Sequence, residues 1–173
     1  MRFPVLASMR ALAMAAALIV STSVIAAETA TYRDPTYGFA VTYPGDFVVR
    51  RQDVAALSST PRPLASIMFM NPVMAGGALA GREPPDLEVR VYDAAAATSL
   101  SSWLQGARFA SAEVLAAATP RPINGHDGLR VCRQDLVAPG CAIFVFQGGR
   151  VYQLTAISAE GEKIIDSFAL PSP

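Results

Sequence analysis

Short runs in which apolar and polar residues alternate make up most of this chain, and a helical spacing replaces them at only a few points. Phe39-Ala40-Val41-Thr42-Tyr43 predicts a strand with Phe39, Val41 and Tyr43 on one face, stopped by Pro44-Gly45. Ser66 to Met70 is apolar on both faces, which predicts a central strand. Across Asp86 to Asp93, Leu87, Val89 and Val91 point one way and Glu88, Arg90 and Tyr92 the other, so one side is core and the other half-wet. Between Thr98 and Arg108 the period changes: Leu100, Trp103, Leu104 and Ala107 fall at i, i+3, i+4 and i+7, a single apolar stripe on a helix that Thr98 or Ser99 would cap. Ser111 to Ala118 adds a turn or two of helix before Pro120 and Pro122 forbid continuation.

The last third predicts three strands in meander, Gly128 to Gln134, Cys141 to Gln147 and Arg150 to Ser158. Gly148-Gly149 supplies a two-residue turn that tolerates positive φ, and a tight turn there sets Val145 opposite Tyr152 and Ile143 opposite Leu154. A final helix from about Glu160 to Phe168 carries Glu160 and Glu162 in its first turn and turns Ile164, Ile165 and Phe168 inward. Strands in runs with helical insertions define an α+β domain built on an antiparallel sheet. The connections between the last three strands are too short for parallel crossovers.

The first 27 residues follow another pattern. Arg2 and Arg10 precede the apolar stretch Ala11 to Val20, and small residues close it at Val24-Ile25-Ala26-Ala27. This is the form of a secretory signal peptide, with cleavage after Ala26 or Ala27. The rival reading is an uncleaved anchor, disfavoured because Ser21, Thr22 and Ser23 interrupt an alanine-rich run, and spanning takes roughly 20 predominantly apolar residues. Residues 28–173 are then a single domain of about 146 residues, large enough to bury its own core, with no integral membrane segment left after cleavage. Without Arg2 and Arg10, 12 basic residues face 14 acidic ones, so nothing steers the domain to nucleic acid or an anionic membrane. The expected location is periplasmic or secreted.

The two cysteines agree with that compartment. Cys132 and Cys141 lie on the arms of the predicted hairpin, where they face each other across the ladder, and a structural disulfide is expected. A redox-active pair would come as Cys-x-x-Cys at a helix start, which this spacing does not offer.

No catalytic signature stands out. His126 is the single histidine, and Asn124-Gly125-His126-Asp127-Gly128 reads as a turn entering a strand rather than a metal site. No Gly-x-Ser-x-Gly elbow places a nucleophilic serine, and no Gly-Lys-Ser/Thr follows Gly76, Gly77 and Gly81. Glu83, Asp86 and Glu88 read as solvated charges flanking a strand. The expectation is therefore no catalytic, cofactor or metal residues and no cofactor. One segment departs from ordinary anatomy: Asn71 to Pro85, about fifteen residues without a strand or amphipathic pattern. With three glycines and three prolines around Val73, Met74, Leu79 and Arg82, it is either an adaptable partner-contact loop or a plain flexible insertion.

Tyr37-Gly38-Phe39-Ala40-Val41-Thr42-Tyr43-Pro44-Gly45-Asp46-Phe47 resembles the opening of PsbP-like domains: a tyrosine, Gly-Phe, a short strand, Tyr-Pro and an aromatic. Ile123 to Val131 resembles the family's later glycine-led strand, and Ile164-Ile165-Asp166-Ser167-Phe168 its closing helix, so most of the mature length is covered in order. The chain differs at Phe47, where the family often has tryptophan, and across Asn71 to Pro85. The resemblance implies a central antiparallel β-sheet flanked by helices, an α/β/α sandwich as in the extrinsic PsbP subunit of photosystem II and the related Ran-binding Mog proteins. It further implies an exported bacterial binding or assembly module, docking to an unidentified protein partner in the cell envelope. The alternatives are a small-molecule or lipid carrier with a pocket between sheet and helix, or a small hydrolase.

Overall fold

The computed structural model describes residues 28–76, 84–133 and 140–171. Two antiparallel sheets form. The smaller pairs β1 (Thr29–Arg33) with β2 (Ala40–Pro44), in register Tyr32 to Val41. The larger has seven strands: β3 (Val48–Arg51), β4 (Ala65–Met70), β5 (Leu87–Asp93), β6 (Thr119–Pro120), β7 (Gly128–Arg133), β8 (Gly140–Gln147) and β9 (Arg150–Ala156). Their spatial order is β3-β4-β5-β9-β8-β7-β6, every neighbour antiparallel. The predicted meander is present in the predicted register, with Val145 opposite Tyr152 and Ile143 opposite Leu154. Gly148 at φ 59° and Gly149 at φ 70° make its turn, a conformation only glycine adopts without strain.

The side-chain period of two splits this sheet into two faces. On the first, Ile67, Phe69, Leu87, Val89, Val91, Ile143, Val145 and Leu154 are buried beneath the β1–β2 hairpin and α4 (Ala159–Ile165). Phe39 stacks on Phe168 at 5.8 Å and meets the edge of Tyr152 at 6.2 Å, so chain start and chain end share one aromatic cluster. Burying each such ring contributes about 2–3 kcal/mol. On the second face, α2 (Leu100–Gly106) and α3 (Ala112–Ala116) cover Tyr92, Val131, Phe144 and Val151. Helices on both faces of an antiparallel sheet make the α+β sandwich that the sequence implied. Ser99 is the α2 cap, accepting from Ser102 N.

Five elements among the described residues went unread in sequence, one of them a single 3-10 turn at Val54–Ala56. β1, β3 and β6 are too short or too polar for a clear period, and α1 (Pro72–Gly76) lies where no pattern was expected. A one-turn helix has no room for periodicity; here Asn71 Oδ1 accepts from Met74 N at 2.9 Å and Pro72 takes the first helical position, which needs no donor.

Candidate functional site

Asp86 ties together one end of the large sheet. Its buried carboxylate accepts from Asn71 N (2.8 Å), Asn71 Nδ2 (3.1 Å) and the Ser158 hydroxyl (2.7 Å), which also caps α4 by accepting from Gly161 N. Its carbonyl accepts from Ile157 N at 3.0 Å. One residue thus fixes the start of α1, the end of β9 and the start of α4. Asp86 is not the solvated charge expected from sequence: at 7% exposure it is buried because three donors replace its water.

α1 is also held at its far end, where Arg50 Nη2 donates to the Ala75 carbonyl at 3.3 Å and Ala75 packs inward. Between these fastenings Val73 stands 80% exposed, and Ile157, across the Asp86 junction, is 58% exposed. Of the contact residues expected from sequence, the structure places Val73 outward and Met74 half-buried, while Leu79 and Arg82 lie outside the described residues. Ile157 was missed because it follows a strand whose alternation assigns it to the polar face. Cys132 and Cys141 are opposite one another in the β7–β8 register and form the disulfide.

A second candidate occupies the sheet's other face, where α2 and α3 leave part of it bare. One cross-strand row runs Ser66, Arg90, Gln153, Phe144, Leu129, polar at the β4 end and apolar at the β7 end. Ser66 donates to Glu88 Oε1 at 2.7 Å, and the same oxygen receives Arg90 Nε at 2.6 Å. Tyr92 donates to Gln153 Oε1 at 2.9 Å, and Gln153 Nε2 donates to the Thr155 hydroxyl at 3.2 Å. Glu88, with a side chain only 14% exposed, is likewise not a solvated charge, since Ser66 and Arg90 compensate it. Burial opposes the Arg90 charge, but the hydrogen bond and charge of Glu88 outweigh it, so the guanidinium pKa is raised. Burial also raises the Tyr92 phenol. A concavity of about 240 Å³ opens where polar and apolar halves of the row meet.

A third, wider concavity of about 490 Å³ separates Leu100 and Ser101 of α2 from Pro120, Leu129 and Phe146 of the sheet. His126 sits in a tight turn, with Asn124 at φ 46° and Gly125 at φ 83°, as its sequence context implied. Asn124 Nδ2 donates to the carbonyls of Asp166 and Phe168, so this turn closes on the end of α4. Among the described residues no three His, Cys, Asp or Glu side chains gather as metal ligands, and no helix is long and apolar enough to cross a membrane.

This arrangement defines an antiparallel α+β domain whose sheet, among the described residues, is sealed on one face and half open on the other. The fold is PsbP-like. The chain is similar to cyanobacterial PsbP (CyanoP) from Synechocystis sp. PCC 6803, whose solution structure aligns with a TM-score of 0.52 at 15% identity, covering 86% of this chain and 96% of that one. A crystal structure of a protein from Bacteroides thetaiotaomicron VPI-5482 aligns at a TM-score of 0.45 and 13% identity, over 82% of this chain and 48% of that one. No protein-family model matches the chain, and no curated protein matches it.

Proposed function

We propose that this chain is an exported module that acts by docking to a protein partner in the cell envelope. The mature domain of this reading is 28–173, released from the leader 1–27. The observation that carries it is the exposure of Val73 and Ile157 on either side of the Asp86 junction, where the backbone beneath is rigidly held. A branched apolar side chain on a fastened element loses little entropy on binding, so it suits an interface better than a mobile one. Leader and disulfide support an extracytoplasmic setting, and the PsbP-like fold is consistent with a binding or assembly role.

The test compares affinity capture from native envelope extract by the wild type and by Val73→Asp/Ile157→Asp. Both side chains are exposed, so stability should stay within about 0.5 kcal/mol of wild type. Loss of a specific captured protein with the melting temperature intact supports the reading. Equal capture by both proteins removes this end of the sheet from it.

A further inference from the structure

The concavity on the half-open sheet face has polar groups whose hydrogen bonds do not balance. Two acceptors there are engaged: Glu88 Oε1 takes protons from both Ser66 and Arg90, and Gln153 Oε1 takes that of Tyr92. Donors remain. Arg90 gives Nε to Glu88 and has the Tyr92 hydroxyl beside its guanidinium, which leaves most of the four protons on its terminal nitrogens unspent. The Thr155 hydroxyl accepts from Gln153 Nε2, which frees its own proton. The opposite wall is apolar, formed by Phe109, Val131 and Phe144, and Phe109 is itself fixed by stacking on Trp103 at 5.3 Å.

We propose that this pocket binds a small carboxylate with a flat apolar body, its carboxylate on the free edge of Arg90 and Thr155 and its body against Phe109 and Phe144. A guanidinium edge matches a carboxylate with two parallel hydrogen bonds, and the unspent protons of Arg90 and Thr155 call for an acceptor. Glu88 limits the attraction but fixes the fork: the Ser66–Glu88–Arg90 chain, anchored on a fully buried serine, holds the guanidinium before any ligand arrives. The volume of about 240 Å³ admits one ring and a short chain, not a lipid. The site does not rest on the docking reading. Val73 and Ile157 are not among the residues that line it, so failure of the capture experiment leaves it untouched.

The test titrates isotope-labelled domain with sodium 3-phenylpropionate, and separately with benzyl alcohol as the uncharged arm, following amide shifts by NMR. Expected are saturable shifts at Arg90, Gln153 and Phe144 with the carboxylate and none that saturate with the alcohol. Arg90→Gln should weaken binding about tenfold or more, and Thr155→Val roughly two- to tenfold, as loss of charged and neutral hydrogen bonds respectively. Because Arg90→Gln leaves Glu88 without its cation, Thr155→Val is the variant that keeps the test valid if the first does not fold. Any of four results overturns the proposal: no saturable shift at millimolar carboxylate, equal response to the alcohol, shifts centred on Leu100 and Pro120, or unchanged affinity in both variants.

Discussion

Replacing Gly161 with alanine sets two physical effects against each other, and the structure decides the sign. Gly161 is in the first turn of α4, and by helix propensity alone an alanine there would stabilise by up to about 1 kcal/mol. A β-carbon at this position would collide with the Asp86 carbonyl oxygen. That oxygen cannot yield, because it accepts from Ile157 N at 3.0 Å and its own side chain is held by Asn71 and Ser158. Overpacking against a rigid partner costs about 1–3 kcal/mol, and here the upper end applies. The net expectation is a loss of about 2 kcal/mol. For a domain of this size each kcal/mol moves the melting temperature by about 2–4 °C, so Gly161→Ala should melt about 4–8 °C lower by circular dichroism. Gly106→Ala is the control: nothing lies within 4 Å of a β-carbon there, and the variant should be neutral or up to about 1 kcal/mol more stable. A Gly161→Ala protein as stable as the control would refute the close approach of α4 to β5, and with it the description of Asp86 as the residue that fixes both.

Reducing the Cys132–Cys141 bond should lower stability in urea by about 1–2.5 kcal/mol; chain entropy for a separation of nine residues gives the upper figure, and a hairpin already constrained by its ladder gives less. Cys132→Ser/Cys141→Ser should reproduce the loss and become insensitive to reductant. Tyr32, Tyr92 and Tyr152 all have phenol pKa values raised in the folded state, each chiefly by burial. Their protons leave the unfolded chain first, so the stability they contribute is complete below about pH 10 and is lost as pH rises through the folded values. Urea midpoints measured across alkaline pH should fall from about pH 10 upward, and Tyr92→Phe should flatten part of that fall; a pH-independent midpoint would contradict the burial of these phenols.

Much of the fold was legible because much of it is local. The β8–β9 register follows from Gly148-Gly149, since a two-residue turn leaves one way to pair Val145 with Tyr152, while Cys132 and Cys141 were expected to face each other from their places on the arms of the separate β7–β8 hairpin. Leu87, Val89 and Val91 announced their buried face by alternation, and Leu100, Trp103 and Leu104 their helix by its spacing. The candidate sites were legible only in outline. Val73 was singled out as an apolar residue in an irregular segment, but Ile157 was not, because nothing in sequence reveals that a residue 84 positions later flanks the same Asp86 junction. The residues of the polar pocket were not singled out: Ser66, Arg90, Gln153 and Phe144 form one row only because β4, β5 and the β8–β9 hairpin, three segments apart in the chain, align in register.

The amino-acid order by itself settled the longer strands and helices, where the β8–β9 hairpin turns, and which cysteines meet, because steric preference and short-range register act over a few residues. Tertiary structure alone decided that β9 lies against β5, that Asp86 and Glu88 are sheltered rather than wet, and that one sheet face is left half uncovered. Those outcomes depend on how much apolar surface each arrangement removes from water and on whether every sheltered charge finds donors, and both are properties of the assembled whole.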